Sequence, residues 1–230
     1  MIVLGFETAA KACSAALWSE GTVLAHECVR MGRGHTEALI PMVRRVLAAA
    51  AVGFSDVDLV AVTVGPGAFT GLRVGLAAAR GIALAANIPC VGVTTLEAIA
   101  AAVQRRERDD RIVLVVLDTR RGDFYAQAFS AEGSGLSAPQ TIDAAVLADL
   151  VAAREVLVAG DARAAAVAEL RAIGIAAESV ADSDHADAAV VAAIAACRFQ
   201  AGDINPQQPL PLYVRRPQAA IAAGGGRRRP

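Results

Sequence analysis

Apolar residues in this chain fall into short runs separated by turn residues, and the runs alternate between strand-like and helix-like spacing. Residues 2–6, 14–18 and 22–29 read as three strands, and the Ser19, Glu20, Gly21 turn joins the last two as an antiparallel hairpin. Over residues 36–51, Leu39, Val43, Val46, Leu47 and Ala50 recur at helical spacing opposite Glu37, Arg44 and Arg45, which predicts an amphipathic helix. Val60, Val62 and Val64 then make a β-rich run that Gly65, Pro66 and Gly67 stop abruptly. A second helix is expected over residues 71–87, with Thr70 as its N-cap and Phe69 and Val74 at the spacing of a hydrophobic staple. Residues 90–93 read as a strand and 96–104 as a helix, and the charged run RRERDDR at 105–111 then breaks the pattern.

Beyond that run the chain begins again. The apolar stretch 112–117 ends in Asp118 and Thr119, as 2–6 ends in Glu7 and Thr8. Residues 124–129 read as a strand, 144–153 as a helix, and 156–159 as a strand stopped by Gly160 and Asp161, with helices at 164–173 and 186–201 closing the chain. This echo points to duplication. It divides the chain into an N-terminal lobe over 1–108, a shorter C-terminal lobe over 109–216 and a flexible tail over 217–230. The order resembles the duplicated ribonuclease-H-like α/β fold of the actin, sugar kinase and heat-shock ATPase superfamily, two lobes with mixed sheets. In that superfamily the two first hairpins face one another across a cleft and hold nucleotide phosphates and a metal. The carboxylates so placed here are Glu7 and Asp118; a turn-capping acid is the other reading of each.

Composition narrows the classes. The chain is 55% hydrophobic and 20% charged, with a formal net charge of −1, which fits a folded protein and argues against a nucleic-acid binder working by bulk charge. Lys11 is the only lysine. Cys13, Cys28, Cys90 and Cys197 form no CxxC pair and are expected as buried, reduced thiols. No basic segment precedes a long apolar stretch at the N-terminus, and Arg80, Asn87 and Pro89 interrupt the apolar run 74–93. A cytoplasmic protein without membrane association is the expectation.

The glycine-proline corner at 65–67 admits two readings. Backbone amides exposed between a strand and a helix N-terminus can hold a phosphate, or the glycines serve only a tight turn; no lysine follows them. The blocks GRGHTEAL (32–39), GPGAFTGLRVGLAAARGIALA (65–85), VGVTTLEAIA (91–100), DTRRGDFYA (118–126) and PLYVR (211–215) occur in that order. Together they resemble the TsaB (YeaZ) family, the bacterial partner proteins in making N6-threonylcarbamoyladenosine beside the tRNA anticodon. The likeness covers nearly the whole chain.

The resemblance implies a non-catalytic subunit that pairs with a larger, metal-binding paralogue, TsaD, alongside an ATPase, TsaE. It implies a homodimer when TsaD is absent, and tRNA reached through the complex. No intrinsic cofactor or metal is implied, with ATP or ADP allowed at the partner interface. The catalytic paralogue carries two histidines four apart on a helix, whereas here His35 has Leu39 at that spacing. No HExxH or GxSxG occurs, so no catalytic residue is assigned. Residues near any nucleotide would be Glu7, Thr8, Gly65, Gly67, Asp118 and Arg120. Glu7 stands where the family has aspartate and Ala68 where it has serine, and both departures count against nucleotide binding. The partner surface is expected on Leu39, Val43 and Val46 of the first helix and on Gly71, Leu72, Gly75 and Ala79 of the second, whose small residues at steps of four would let another helix approach. Those same positions could instead pack on the chain's own sheet. Arg120 and Arg121 suit either phosphate or a solvated turn, His35 reads as a surface residue, and Tyr213 and Arg215 as anchors of the C-terminal segment. The arginine-rich end of the chain offers nonspecific affinity for RNA. Two alternatives stand beside the scaffold reading: an independent ATPase or kinase using Glu7, Asp118 and the glycine corner, and a metalloprotease.

Overall fold

The computed structural model describes residues 1–107, 110–152, 154–203 and 209–214. Arg108 and Asp109 at the expected lobe boundary, Arg215, and the expected tail 217–230 lie outside the described residues.

In the first half, β1 (Ile2–Glu7), β2 (Ala12–Ser19) and β3 (Thr22–Arg30) form an antiparallel meander, followed by α1 (His35–Ala49), β4 (Leu59–Thr63), α2 (Phe69–Ala86), β5 (Cys90–Val93) and α3 (Thr95–Glu107). The second half repeats the order with β6 (Ile112–Asp118), β7 (Phe124–Phe129), β8 (Gln140–Ile142), α4 (Leu147–Val151), β9 (Val156–Ala159), α5 (Arg163–Ala172), β10 (Ala177–Ser179) and α6 (Ala188–Gln200). The sheets run β3-β2-β1-β4-β5 and β10-β9-β6-β7-β8. In each, the first strand of the half pairs antiparallel with the second and parallel with the fourth. The two orders are the same topology, so the fold is the duplicated α/β ribonuclease-H-like one, with a mixed sheet in each half.

The layers follow from which faces are apolar. Leu39, Met42, Val43 and Val46 of α1 and Leu76, Ala79 and Ala83 of α2 pack with Leu4, Phe6 and Val62 on the outer face of the first sheet. Leu147 of α4 and Ala166 and Leu170 of α5 pack with Leu114 and Val158 on the outer face of the second. Between the sheets lie α3 and α6, in one cluster that joins Val3 and Ala61 to Val115 and Leu157. α6 belongs to the second half by sequence but packs against β1, β2 and β4 of the first. Its alanines permit this: a Cβ on Gly5 would overlap the Ala188 carbonyl, and the Ala188 amide donates to Ser14 Oγ at 3.1 Å.

Three expectations change. α2 begins at Phe69 with Ala68 as an N-cap that offers no side-chain bond, so Thr70 lies inside the first turn. Phe69 is covered by the Arg73 guanidinium, 3.8 Å from its ring centre, one turn along rather than by Val74. Of the four thiols, Cys13 is buried and Cys90 half-buried, but Cys28 and Cys197 are exposed, and all are free. Among the described residues α2 is the one helix long and apolar enough to cross a membrane by length and composition; here Gly71, Leu72, Gly75, Leu76, Ala79 and Ala83 bury one side of it on the sheet.

Candidate functional site

The glycine corner is fixed from three sides. The Val64 amide donates to Val93 O at 2.9 Å, the Thr95 amide to Gly65 O at 2.9 Å, and the Leu212 amide to Val64 O at 2.7 Å. Gly65 has φ 104°, a left-handed conformation that favours glycine. The corner then packs directly on the β1–β2 turn: the Ala68 amide donates to Ala9 O at 2.7 Å, and a Cβ on Gly67 would overlap that same carbonyl.

The small stripe of α2 continues this contact. A Cβ on Gly71 would overlap the Thr8 carbonyl oxygen, and one on Gly75 would overlap Thr8 Oγ1. Thr8 Oγ1 donates to Gly71 O at 2.8 Å. The absence of side-chain bulk therefore admits the β1–β2 turn of the same chain, which corrects the expectation that it admits a partner helix. Leu72 and Ala79 are buried in the same way, and Leu39, Val43 and Val46 are no more than 2% exposed in the core under α1. The seven residues expected at a partner surface are interior.

Glu7 and Thr8 are corrected too. Glu7 is fully buried, with Oε1 accepting from the Ala9 amide at 2.6 Å and the Ala10 amide at 2.9 Å. Burial pushes its pKa up to about 7 against the lowering effect of the Thr63 hydroxyl and the two amides. Oε2 lies near that hydroxyl, but neither atom makes a well-aligned hydrogen bond. The acid that ends β1 thus caps the following turn from beneath and does not reach the cleft, and neither Thr8 nor Gly65 lines it.

The cleft itself is a cavity of ≈ 500 Å³ between the β1–β2 turn, the loop before α1, the start of α2 and the β6–β7 turn. Gly67, Asp118 and Arg120 line it, together with Lys11, Arg33 and Asp161. Asp118 Oδ1 accepts from the Arg120 amide at 2.6 Å, holding a turn in which Arg120 has φ 60° and Gly122 φ 89°. Asp161 joins the two halves: Oδ2 lies 3.1 Å from Lys11 Nζ, and Oδ1 accepts from the Asp118 amide at 2.9 Å. Sequence reasoning gave Asp161 no role beyond ending β9, although its place after Gly160, mirroring the Gly65 corner, is the signal that could have found it. His35 also lines the cleft and is buried, its Nε2 3.0 Å from Ala12 O, so it is not a surface residue.

A second junction between the halves was not foreseen. His26, Cys28 and Arg30, alternate residues of β3, meet the segment before α6: His26 Nε2 lies 2.9 Å from Asp187 Oδ2, Cys28 Sγ 3.6 Å from His185 Nε2, and Arg30 Nη1 3.1 Å from Asp184 Oδ2. Asp187 also caps α6, its Oδ1 accepting from the Ala189 amide at 2.8 Å. The Asp187 hydrogen bond raises the His26 pKa. Burial alone would raise Asp187, but His26, the Ala189 amide and His185 outweigh it and hold the carboxyl below its usual range. Asp184 is shared with Arg163 of α5. Among the described residues no three His, Cys, Asp or Glu side chains are placed to hold a metal ion.

The segment 209–214 returns to the start of α2. Arg80 Nε donates to Pro209 O at 3.0 Å, Arg73 Nε to Tyr213 Oη at 3.4 Å, and the Tyr213 and Phe69 ring centres are 6.0 Å apart. Tyr213 therefore anchors this segment.

The family model described as TsaD, tRNA N6-adenosine threonylcarbamoyltransferase, matches residues 29–166. The chain is 35% identical over 161 residues to the tRNA threonylcarbamoyladenosine biosynthesis protein TsaB of Escherichia coli, an alignment covering 70% of this chain and 69% of that one. Two solved structures from Pseudomonas aeruginosa are similar in fold at 26% identity. An uncharacterized protein with similarity to peptidase YEAZ gives a TM-score of 0.82 over 93% of this chain and 99% of that one. YeaZ gives 0.77 over 92% and 99%.

Proposed function

The chain belongs to the TsaB (YeaZ) family, with its role in tRNA threonylcarbamoyladenosine biosynthesis, and from that premise we propose that it is a non-catalytic partner of a TsaD-like catalytic subunit. The burial of Glu7 carries this reading. A carboxylate meant to order a metal or nucleotide phosphate has to face the cleft, and this one is consumed by the Ala9 and Ala10 amides beneath its own turn. On the facing side Lys11 and Asp161 neutralise one another. An independent ATPase would have to work without the first of its two acids.

The partner would dock on the outward faces of α1 and α2, the sides that remain once the interior stripes are assigned. Ile40 on α1 and Leu84 on α2 are exposed large aliphatic residues, Leu84 at 76%, and Ala77 and Gly81 form an exposed small strip on the same side of α2. Docking there would remove Leu84 and Ile40 from water, and the small residues beside Leu84 would let a partner helix approach closely. The same face would pair two copies when TsaD is absent. A TsaE-like ATPase and tRNA would join through the complex, with ATP or ADP at the interface, in the cytoplasm.

Co-elution of this chain with a TsaD-like subunit tests the reading. A one-to-one complex lost in Leu84→Arg supports it, and a chain that hydrolyses ATP alone at a rate abolished by Asp118→Ala contradicts it.

A further inference from the structure

We propose that the mouth of the cleft, with the Phe69, Arg73 and Tyr213 stack at its edge, is a contact surface for single-stranded RNA. The inference rests on the tRNA-modification role just given and adds a direct RNA contact made by this subunit.

The first observation is a group of arginine side chains without partners. At the cleft Asp161 is paired with Lys11 and Asp184 with Arg30 and Arg163, while Asp118 accepts from the Arg120 amide and keeps its charge. Among the described residues the side chains of Arg33, Arg120 and Arg121 have no hydrogen-bonded or ionic partner, and Arg73 uses only Nε, leaving its two terminal amino groups open. Arg33 and Arg120 enter the cavity from opposite halves. Arg120 sits at φ 60° in the β6–β7 turn, its amide held by Asp118 Oδ1.

The second observation is aromatic. Phe69 is 55% exposed and Tyr213 41% exposed, in a chain where only 4% of residues are aromatic. Arg73 covers one face of Phe69 at 3.8 Å. An aromatic ring beside guanidinium groups suits an unstacked base with its phosphates, which single strands and loops offer and a duplex does not.

A single nucleotide could meet the cavity arginines, but Arg73 and Arg121 lie outside the cavity lining, so the open charges extend along a path that a strand can follow.

Fluorescence anisotropy of the full chain with unmodified tRNA and with its isolated anticodon stem-loop, at 50 to 200 mM salt, tests this. The expected result is binding that weakens steeply with salt, with Arg73→Ala and Arg120→Ala each flattening the logarithmic salt slope by about 0.7. Phe69→Ala and Tyr213→Ala should each weaken binding about fivefold or more, while Arg154→Ala, on the far side of the second sheet, leaves it unchanged; melting curves confirm that each variant is folded. Absence of saturable binding at the lowest salt, wild-type affinity in the four variants, or complete displacement of RNA by ATP would each overturn the inference. A chain still required for tRNA modification in a reconstituted reaction but unable to bind RNA would overturn this inference alone and leave the family role standing.

Discussion

Thr8 Oγ1 donates a hydrogen bond to the carbonyl oxygen of Gly71 at 2.8 Å, tying the first β-turn to the first turn of α2. That contact explains the glycines of the helix. Cβ atoms at Gly71 and Gly75 would overlap Thr8 atoms, in the first case a backbone carbonyl that cannot step aside. Gly71→Ala should therefore destabilise the chain by about 1–3 kcal/mol, the usual cost of overpacking, and do so without TsaD present. Urea denaturation of the isolated chain reads this directly, and unchanged stability would return the stripe to the list of partner surfaces.

Glu7 makes stability depend on pH. Its folded pKa of about 7 lies above the ordinary 4.5, so between those values the folded state holds a proton that the unfolded state has released. Stability then falls as pH rises from about 4.5 to about 7 and levels off above. Glu7→Gln keeps an oxygen for the Ala9 and Ala10 amides and supplies an amide for the Thr63 hydroxyl without a buried charge. It should stabilise the chain at pH 8 by up to about 3 kcal/mol and flatten the profile. A destabilised Gln variant at pH 8 would mean that the carboxylate form is needed.

His26 has the opposite assignment of charge. Its pKa is raised by Asp187, so its ion pair contributes fully below about pH 6.5 and is lost as pH climbs through the higher folded value. Both side chains are about one-third exposed, 34% and 33%, and the contribution is correspondingly small. His26→Ala should lower the melting temperature at pH 6 more than at pH 9. Asp187→Ala should cost more than His26→Ala at either pH, because it also removes the cap of α6.

The exposed face of α2 is separable from its buried one. Leu84→Arg should leave the melting temperature within error, since surface substitutions of this kind shift stability by about 0.5 kcal/mol or less, and should abolish co-elution with the TsaD-like subunit. A variant that folds and still binds would move the partner surface off α2.

Most of the fold was legible because strand-like runs and helical spacing repeat in the two halves, and Val60 to Gly67 marks its own corner. β8 and β10 were not, being three residues each and lacking an apolar run of their own. The site was harder. Sequence spacing places Glu7 at the end of the first strand but cannot say whether its side chain faces the cleft or folds back, because that depends on the free amides of Ala9 and Ala10. Likewise the small residues of α2 announce a close neighbour without saying whether it is another chain or Thr8. The pairing of β3 with the segment before α6 is invisible in sequence because about 157 positions separate Cys28 from His185.

Reconstitution distinguishes a non-catalytic partner in threonylcarbamoyladenosine formation from a chain that the reaction does not need. The reaction combines tRNA, threonine, bicarbonate, ATP and the other factors, with and without this chain, and modified adenosine is quantified by mass spectrometry. Modification should depend on the chain, be retained in Asp118→Ala and be lost in Leu84→Arg. Modification undiminished when the chain is left out, or lost in Asp118→Ala with partner binding intact, would contradict the non-catalytic partner role.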